Sequence, residues 1–147
     1  MKSKAAVLLD DVHCQELDAF LVERIYEFNS KATGHFDGRL LGVRIQNDAG
    51  EIIAGISGHT WGGCAEIANF WVSERYRGQG LGSTLLVAAE AEAIRRGCTQ
   101  AVLRTHSFQA PEFYLRHGYL RRCEVKGQPK GHSDILFVKS FTNDSRM

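Results

Sequence analysis

The stretch Arg75-Tyr76-Arg77-Gly78-Gln79-Gly80-Leu81-Gly82-Ser83 constrains this 147-residue chain more than any other. It stands between an apolar run and a helical pattern. Glycines in such a place let the backbone approach a ligand closely and turn several N–H groups toward one point. The start of a helix adds unsatisfied N–H donors and a partial positive charge. With Arg75 and Arg77 beside it, the turn suits a diphosphate. A P-loop would need Gly-Lys-Ser/Thr, but Gly82 is followed by Ser83 and Thr84. A G-x-G-x-x-G fingerprint starting at Gly78 or Gly80 would put its third glycine at Ser83 or Leu85, so it fails too. What remains is Arg/Gln-x-x-Gly-x-Gly/Ala, met by Arg77, Gly80 and Gly82. The plain alternative is a glycine turn that only starts a helix.

The pattern around the turn predicts an α/β domain. Residues 12–29 place Leu17, Phe20, Leu21, Arg24, Ile25 and Phe28 at helical spacing, with Asp10 or Asp11 as N-cap. Residues 1–10 read as a first strand. Strands are expected over 39–46, 51–58 and 64–72, joined by turns at Asn47-Asp48-Ala49-Gly50 and Gly62-Gly63. A helix over 80–96 should bury Leu85, Leu86, Ala89, Ala93 and Ile94 and end at Gly97. A strand over 100–105, a short helix over 110–117 begun by Pro111, and strands over 119–125 and 133–141 complete the series. This order predicts a mixed, mostly antiparallel sheet of six to seven strands flanked by helices. The whole of 1–147 reads as one domain, with residues 142–147 frayed.

Composition narrows the function classes. The balance of 18 Lys+Arg against 17 Asp+Glu lacks the basic excess of a general nucleic-acid binder. No apolar run approaches the roughly 20 residues of a membrane span. Asp10-Asp11 cut the N-terminal apolar stretch short of a secretory signal. Cys14, Cys64, Cys98 and Cys123 are scattered, with no C-x-x-C pair, so they indicate neither a zinc site nor a disulfide framework. They read as small core hydrophobes in a reduced, cytoplasmic protein, and no metal is expected.

At the glycine-rich turn the chain resembles the GNAT (GCN5-related N-acetyltransferase) superfamily. The resemblance extends to Ile67-Ala68-Asn69-Phe70-Trp71-Val72 before the turn. It continues in Phe113-Tyr114-Leu115-Arg116-His117-Gly118-Tyr119, which is similar to the family's Phe-Tyr-x-x-x-Gly-Phe. It implies a sheet splayed at the cofactor and acetyl-CoA as cosubstrate. The pyrophosphate would sit at Arg77, Gly78, Gln79, Gly80, Leu81, Gly82 and Ser83, and the pantetheine arm along Phe70, Trp71 and Val72. The family's usual pantetheine-binding Asn is absent. His106, Ser107 and Gln109, which follow the strand ending at Thr105, are the candidates to replace it, with Ser107 placed among the expected cofactor-binding residues. Homodimerisation is also implied.

Amide formation from a thioester needs a neutral amine, a polarised carbonyl and a proton for the departing thiolate. The resemblance implies direct attack by the amine, with Tyr114 near the sulfur as acid. A phenol with a pKa near 10 is protonated at neutral pH; the alternative is a packing tyrosine. Glu66, a carboxylate in an otherwise apolar strand, is the candidate base if half buried. Its alternative is a solvent-facing position. His59 is a second candidate for the base or the acceptor pocket, with Trp61 as a wall. Asn29, His35 and Asp37 follow the first helix, where the family builds its acceptor lid. His117, His132 and Arg121-Arg122 read as surface features. The expected reaction is N-acetylation of a primary amine, most simply on a small molecule. A protein amine is the alternative acceptor, and a non-catalytic acyl-CoA-binding module is the alternative function.

Overall fold

The computed structural model describes residues 5–12 and 14–142; of the tail expected to fray, 142–147, all but Thr142 lies outside them. The chain divides into two compact units, Met1–Phe36 and Asp37–Met147. The first holds α1 (Cys14–Thr33), four residues longer at its C-terminal end than its spacing predicts. Ser30 is its buried residue, while Leu17, Phe20, Leu21, Ile25 and Phe28 stay exposed. Residues 5–10 form no strand, which corrects the expectation for that segment, and Val7, Leu8 and Leu9 are exposed. A strand exists only through its ladder, and three consecutive apolar residues lack the alternation that fixes one face.

The second unit is a six-stranded sheet with helices. Its strands are β1 (Arg39–Gln46), β2 (Ile52–Trp61), β3 (Cys64–Val72), β4 (Gln100–His106), β5 (Leu120–Lys126) and β6 (Ser133–Ser140). A 3₁₀ turn, Glu74–Tyr76, leads into α2 (Leu81–Arg95), and α3 (Pro111–Arg116) follows β4. The order across the sheet is β1-β2-β3-β4-β6-β5, antiparallel throughout except for the parallel β3–β4 pair.

The pairing of β3 with β2 is irregular, and its pairing with β4 is short. Its pairing with β2 slips so that Ser57 faces Asn69 while Gly58 faces Ile67, leaving Ala68 as an extra, bulged residue. At that point the strands press together. A Cβ on Gly58 would lie 1.9 Å from the Glu66 carbonyl oxygen, so only glycine fits. Its pairing with β4 runs from Cys64↔Gln100 to Ile67↔Leu103 and stops. Beyond Ile67 and Leu103 the two strands diverge, and this is the expected splay.

The core lies where α2 covers one face of the sheet. Leu85, Leu86, Ala89 and Ala93 pack with Leu41, Ile56, Ala65, Ile67, Leu103, Ile135 and Phe137. Ile94, expected inside, is exposed. Glu90 is buried instead, its carboxylate held by Lys139 Nζ of β6 at 2.8 Å. A carboxylate this deep persists because it is paired. The C-terminal end of α2 is fastened by Arg96. Its Nε donates to Glu92 at 2.9 Å, and its Nη1 donates to the Leu40 carbonyl at 2.9 Å and Thr60 Oγ1 at 3.1 Å. Cys98 is buried, Cys64 and Cys14 are half-buried and Cys123 is exposed, so the core reading of the cysteines holds in full only for Cys98.

Candidate active site

The splay opens into a cavity of about 1190 Å³, bounded by the ends of β3 and β4, the glycine-rich turn, the first turn of α2, and α3. Gly78 and Gly80 take φ of +76° and +79°. A Cβ on either would meet nothing within 4 Å, so glycine is required there by backbone conformation and not by crowding. Gly80 is the N-cap of α2 and carries no capping side chain. The α2 ladder begins with the Thr84 N–H donating to the Gly80 carbonyl at 3.1 Å. The N–H groups of the first turn are therefore left for an external acceptor, at the positive end of the helix dipole. Arg77 is drawn in by its Nε, which donates to the Val72 carbonyl at 3.0 Å. Gly82 is close-packed: a Cβ there would touch the Phe113 ring at 3.4 Å.

Ten of the residues expected around the cofactor or at the chemistry line this one cavity: Phe70, Trp71, Val72, Arg77, Gly78, Gly80, Leu81, Gly82, Ser83 and Tyr114. Past Ile67 the backbone of β3 is paired with β2 alone. The Ser73 N–H donates to the Ile53 carbonyl at 2.8 Å, so by alternation the backbone groups of Trp71 also face β2. Those of Phe70 and Val72 face the opening, where the Val72 carbonyl accepts from Arg77 Nε. Tyr114 is buried, with rings around it: Phe113 at 5.3 Å, Phe137 at 5.8 Å, Tyr119 at 5.9 Å and Phe70 at 6.2 Å between centroids. Burial pushes its phenol above the ordinary value, so the hydroxyl keeps its proton well past neutral pH.

Other expectations fall elsewhere. Gln79 is exposed at the turn and outside the lining. Ser107 Oγ accepts from the Ser133 N–H at 3.0 Å and the Ser107 N–H donates to the Ser133 carbonyl at 2.9 Å, so this serine fastens β4 to β6. Its neighbours His106 and Gln109 line the cavity, and Gln109 Oε1 accepts from the His106 N–H at 2.8 Å. Glu66 is not half buried. Its carboxylate side chain is 61% exposed on the face away from α2, 3.6 Å from His59 Nε2 directly across from it on β2. Neither Glu66 nor His59 lines the cavity, nor does Trp61 at the end of β2. The Asp37 carboxylate accepts from the Gly62 N–H at 3.0 Å and braces the β2–β3 turn. Asn29 and His35 belong to the first unit, where the Asn29 carbonyl accepts from Thr33 Oγ1 and the His35 N–H donates to that same hydroxyl.

Two contributors carry no role in the sequence reading. His117 is half-buried rather than a surface feature. Its Nε2 is 2.9 Å from Ser83 Oγ, joining α3 to the first turn of α2. Asp134 is buried and lines the cavity, with Arg104 Nη1 on its Oδ2 at 2.9 Å. The signal for Asp134 is present in the sequence, since it is a carboxylate at the head of the apolar run Ile135-Leu136-Phe137-Val138. Among the described residues no cluster of His, Cys, Asp or Glu has the makings of a metal site, and no helix is long and apolar enough to cross a membrane.

Comparison with known proteins agrees with this geometry. Residues 7–119 match the model of the Acetyltransferase (GNAT) family. The chain is 33% identical over 134 residues to Acetyltransferase Atu2258 of Agrobacterium fabrum, covering 91% of this chain and 98% of that one. It is 38% identical over 95 residues to the blasticidin-S acetyltransferase of Streptomyces morookaense, covering 64% of this chain and 70% of that one. A crystal structure from Agrobacterium tumefaciens superposes with a TM-score of 0.83 at 31% identity, covering 93% of this chain and all (100%) of that one. An aminoglycoside 6'-N-acetyltransferase complexed with coenzyme A shares the fold alone, with a TM-score of 0.62 at 18% identity over 69% of this chain and 72% of that one. The glycine-rich turn, the splayed parallel pair and the family match together place this chain in the GNAT family of acetyltransferases.

Proposed function

We propose that the protein transfers an acetyl group from acetyl-CoA to a primary amine of a small molecule by direct attack. The observation that carries this reading is the joining of two features in one cavity. An uncapped helix start with left-handed glycines lies at one end, and a buried phenol whose proton is held by desolvation lines the same space. The N–H groups after Gly80, with Arg77, would hold the diphosphate. The edge of β3 left unpaired by β4, from Phe70 to Val72, would run along the pantetheine arm. Tyr114 would give its proton to the departing thiolate. The small-molecule acceptor is supported by the likeness to the blasticidin-S enzyme. Reduced, unpaired cysteines support a cytoplasmic setting. Homodimerisation is part of the reading, supported by β5, an edge strand exposed along its whole length. Sedimentation velocity tests it, and a purely monomeric species at working concentration removes it.

The test is thiol release from acetyl-CoA with blasticidin S and a panel of primary amines, comparing wild type with Tyr114→Phe. The variant should lose more than about tenfold in kcat while its acetyl-CoA affinity stays within about twofold. Equal loss in both would make Tyr114 a packing residue.

A further inference from the structure

β4 and β6 set His106 and Asp134 directly opposite each other, and both line the cavity that holds Tyr114. The Asp134 side chain is only 6% exposed, so its charge must be met within the protein. Arg104 meets Oδ2, while Oδ1 faces His106 Nδ1 at 3.8 Å. That nitrogen is buried and makes no hydrogen bond. The imidazole is stacked on Phe108, with centroids 5.3 Å apart and planes 8° apart, which fixes the plane of the ring. Phe108 is in turn met edge-on by His132 at 4.9 Å. With Nδ1 turned to the carboxylate, Nε2 is the nitrogen left for the cavity. An imidazole locked by stacking, with a carboxylate behind its far nitrogen, is built to take a proton and to have the resulting cation stabilised. Glu66 cannot share this place. It registers with Val102, four residues before His106, or about 13 Å along the strand.

We propose that His106 is the proton acceptor for the attacking amine and that Asp134 is its positioning residue; this rests on the acetyl-transfer reading above. The neutral amine attacks the thioester carbonyl carbon, the C–N bond forms and the C–S bond breaks. The N–H proton passes to His106 Nε2, and the thiolate takes the Tyr114 hydroxyl proton. The imidazolium then loses its proton to solvent, and the phenolate regains one from solvent. The charged group facing the ring is Asp134 from β6; Arg104 from β4 is paired with that carboxylate, and Arg77 and Arg116 are elsewhere in the lining.

The experiment measures thiol release with the first primary amine of the panel that wild type turns over, beside calorimetric acetyl-CoA affinity as the check on folding. His106→Ala should lower kcat by about a hundredfold or more with acetyl-CoA affinity within about twofold. Added imidazole should restore at least about tenfold of the loss. Asp134→Asn should give a smaller loss and a displaced acidic limb in the pH profile of kcat/KM. His106→Asn, closer in size, stands in if the alanine variant loses acetyl-CoA binding. Undiminished turnover in the histidine variants, or a loss that imidazole cannot rescue while Glu66→Gln is inactive, overturns this assignment alone. No thiol release by wild type with any amine overturns the acetyl-transfer reading and this one with it.

Discussion

The two ends of α2 are built on opposite principles. At the C-terminal end, Glu92 takes hydrogen bonds from both Arg95 and Arg96, and Arg96 reaches on to Leu40 and Thr60. At the N-terminal end, Gly80 offers no side chain, and the first N–H groups look into a cavity. One end is satisfied within the chain, and the other waits for a partner. Buried or half-buried backbone groups left without a partner are costly. An end that tolerates them, next to two left-handed glycines and an arginine, is therefore an end adapted to a ligand. Stability should reside at the first end and binding at the second, and substitutions should separate them.

The largest effect on stability should come from Arg96→Ala. It removes hydrogen bonds from a charged, nearly buried side chain to two strands and should cost about 2 kcal/mol in chemical denaturation. Acetyl-CoA affinity should stay within about twofold. A matching loss of affinity would mean that the two ends are not separable. A smaller effect is expected at Glu92. Its hydrogen bonds from Arg95 and Arg96 lower its pKa from the ordinary 4.5 to about 2. A carboxyl depressed in the folded state contributes stability above its unfolded pKa and loses it as pH falls through the folded one. Wild type should therefore lose stability more steeply between pH 4.5 and 2 than Glu92→Gln does. Parallel curves for the two proteins would show that the Arg–Glu cluster is too solvated to matter.

The regular elements were largely legible in the sequence, because period and punctuation agree there. β1 and β3 have the expected bounds, and α2 starts one residue after Gly80 and stops two before Gly97. β2 runs on to Trp61, past Gly58, where a strand stop was expected. Gly58 punctuates nothing; it is the place where the bulge at Ala68 brings two backbones together, and a bulge leaves no mark in a single sequence. The cofactor half of the site was legible for the same reason as α2, since its chemistry is backbone chemistry announced by glycines. The chemistry of side chains was not. Glu66 and Asp134 carry the same signal, a carboxylate in an apolar strand, yet Glu66 points to solvent and Asp134 into the cavity. Period two tells which residues share a face, but the cavity is created by where β3 leaves β4. Ser107 shows the same limit, because only its pairing with Ser133 reveals that it is a fastener.

Whether the open end of α2 is a diphosphate cradle is decided by calorimetric titration with acetyl-CoA, wild type beside Gly82→Asp. Wild type should bind with micromolar affinity. In the variant, whose new side chain starts 3.4 Å from Phe113 and brings a negative charge to the first turn of α2, binding should fall by more than about a hundredfold. The thermal midpoint should show whether the variant stays folded. Normal affinity in a folded Gly82→Asp protein, or no binding by wild type, would contradict the cradle.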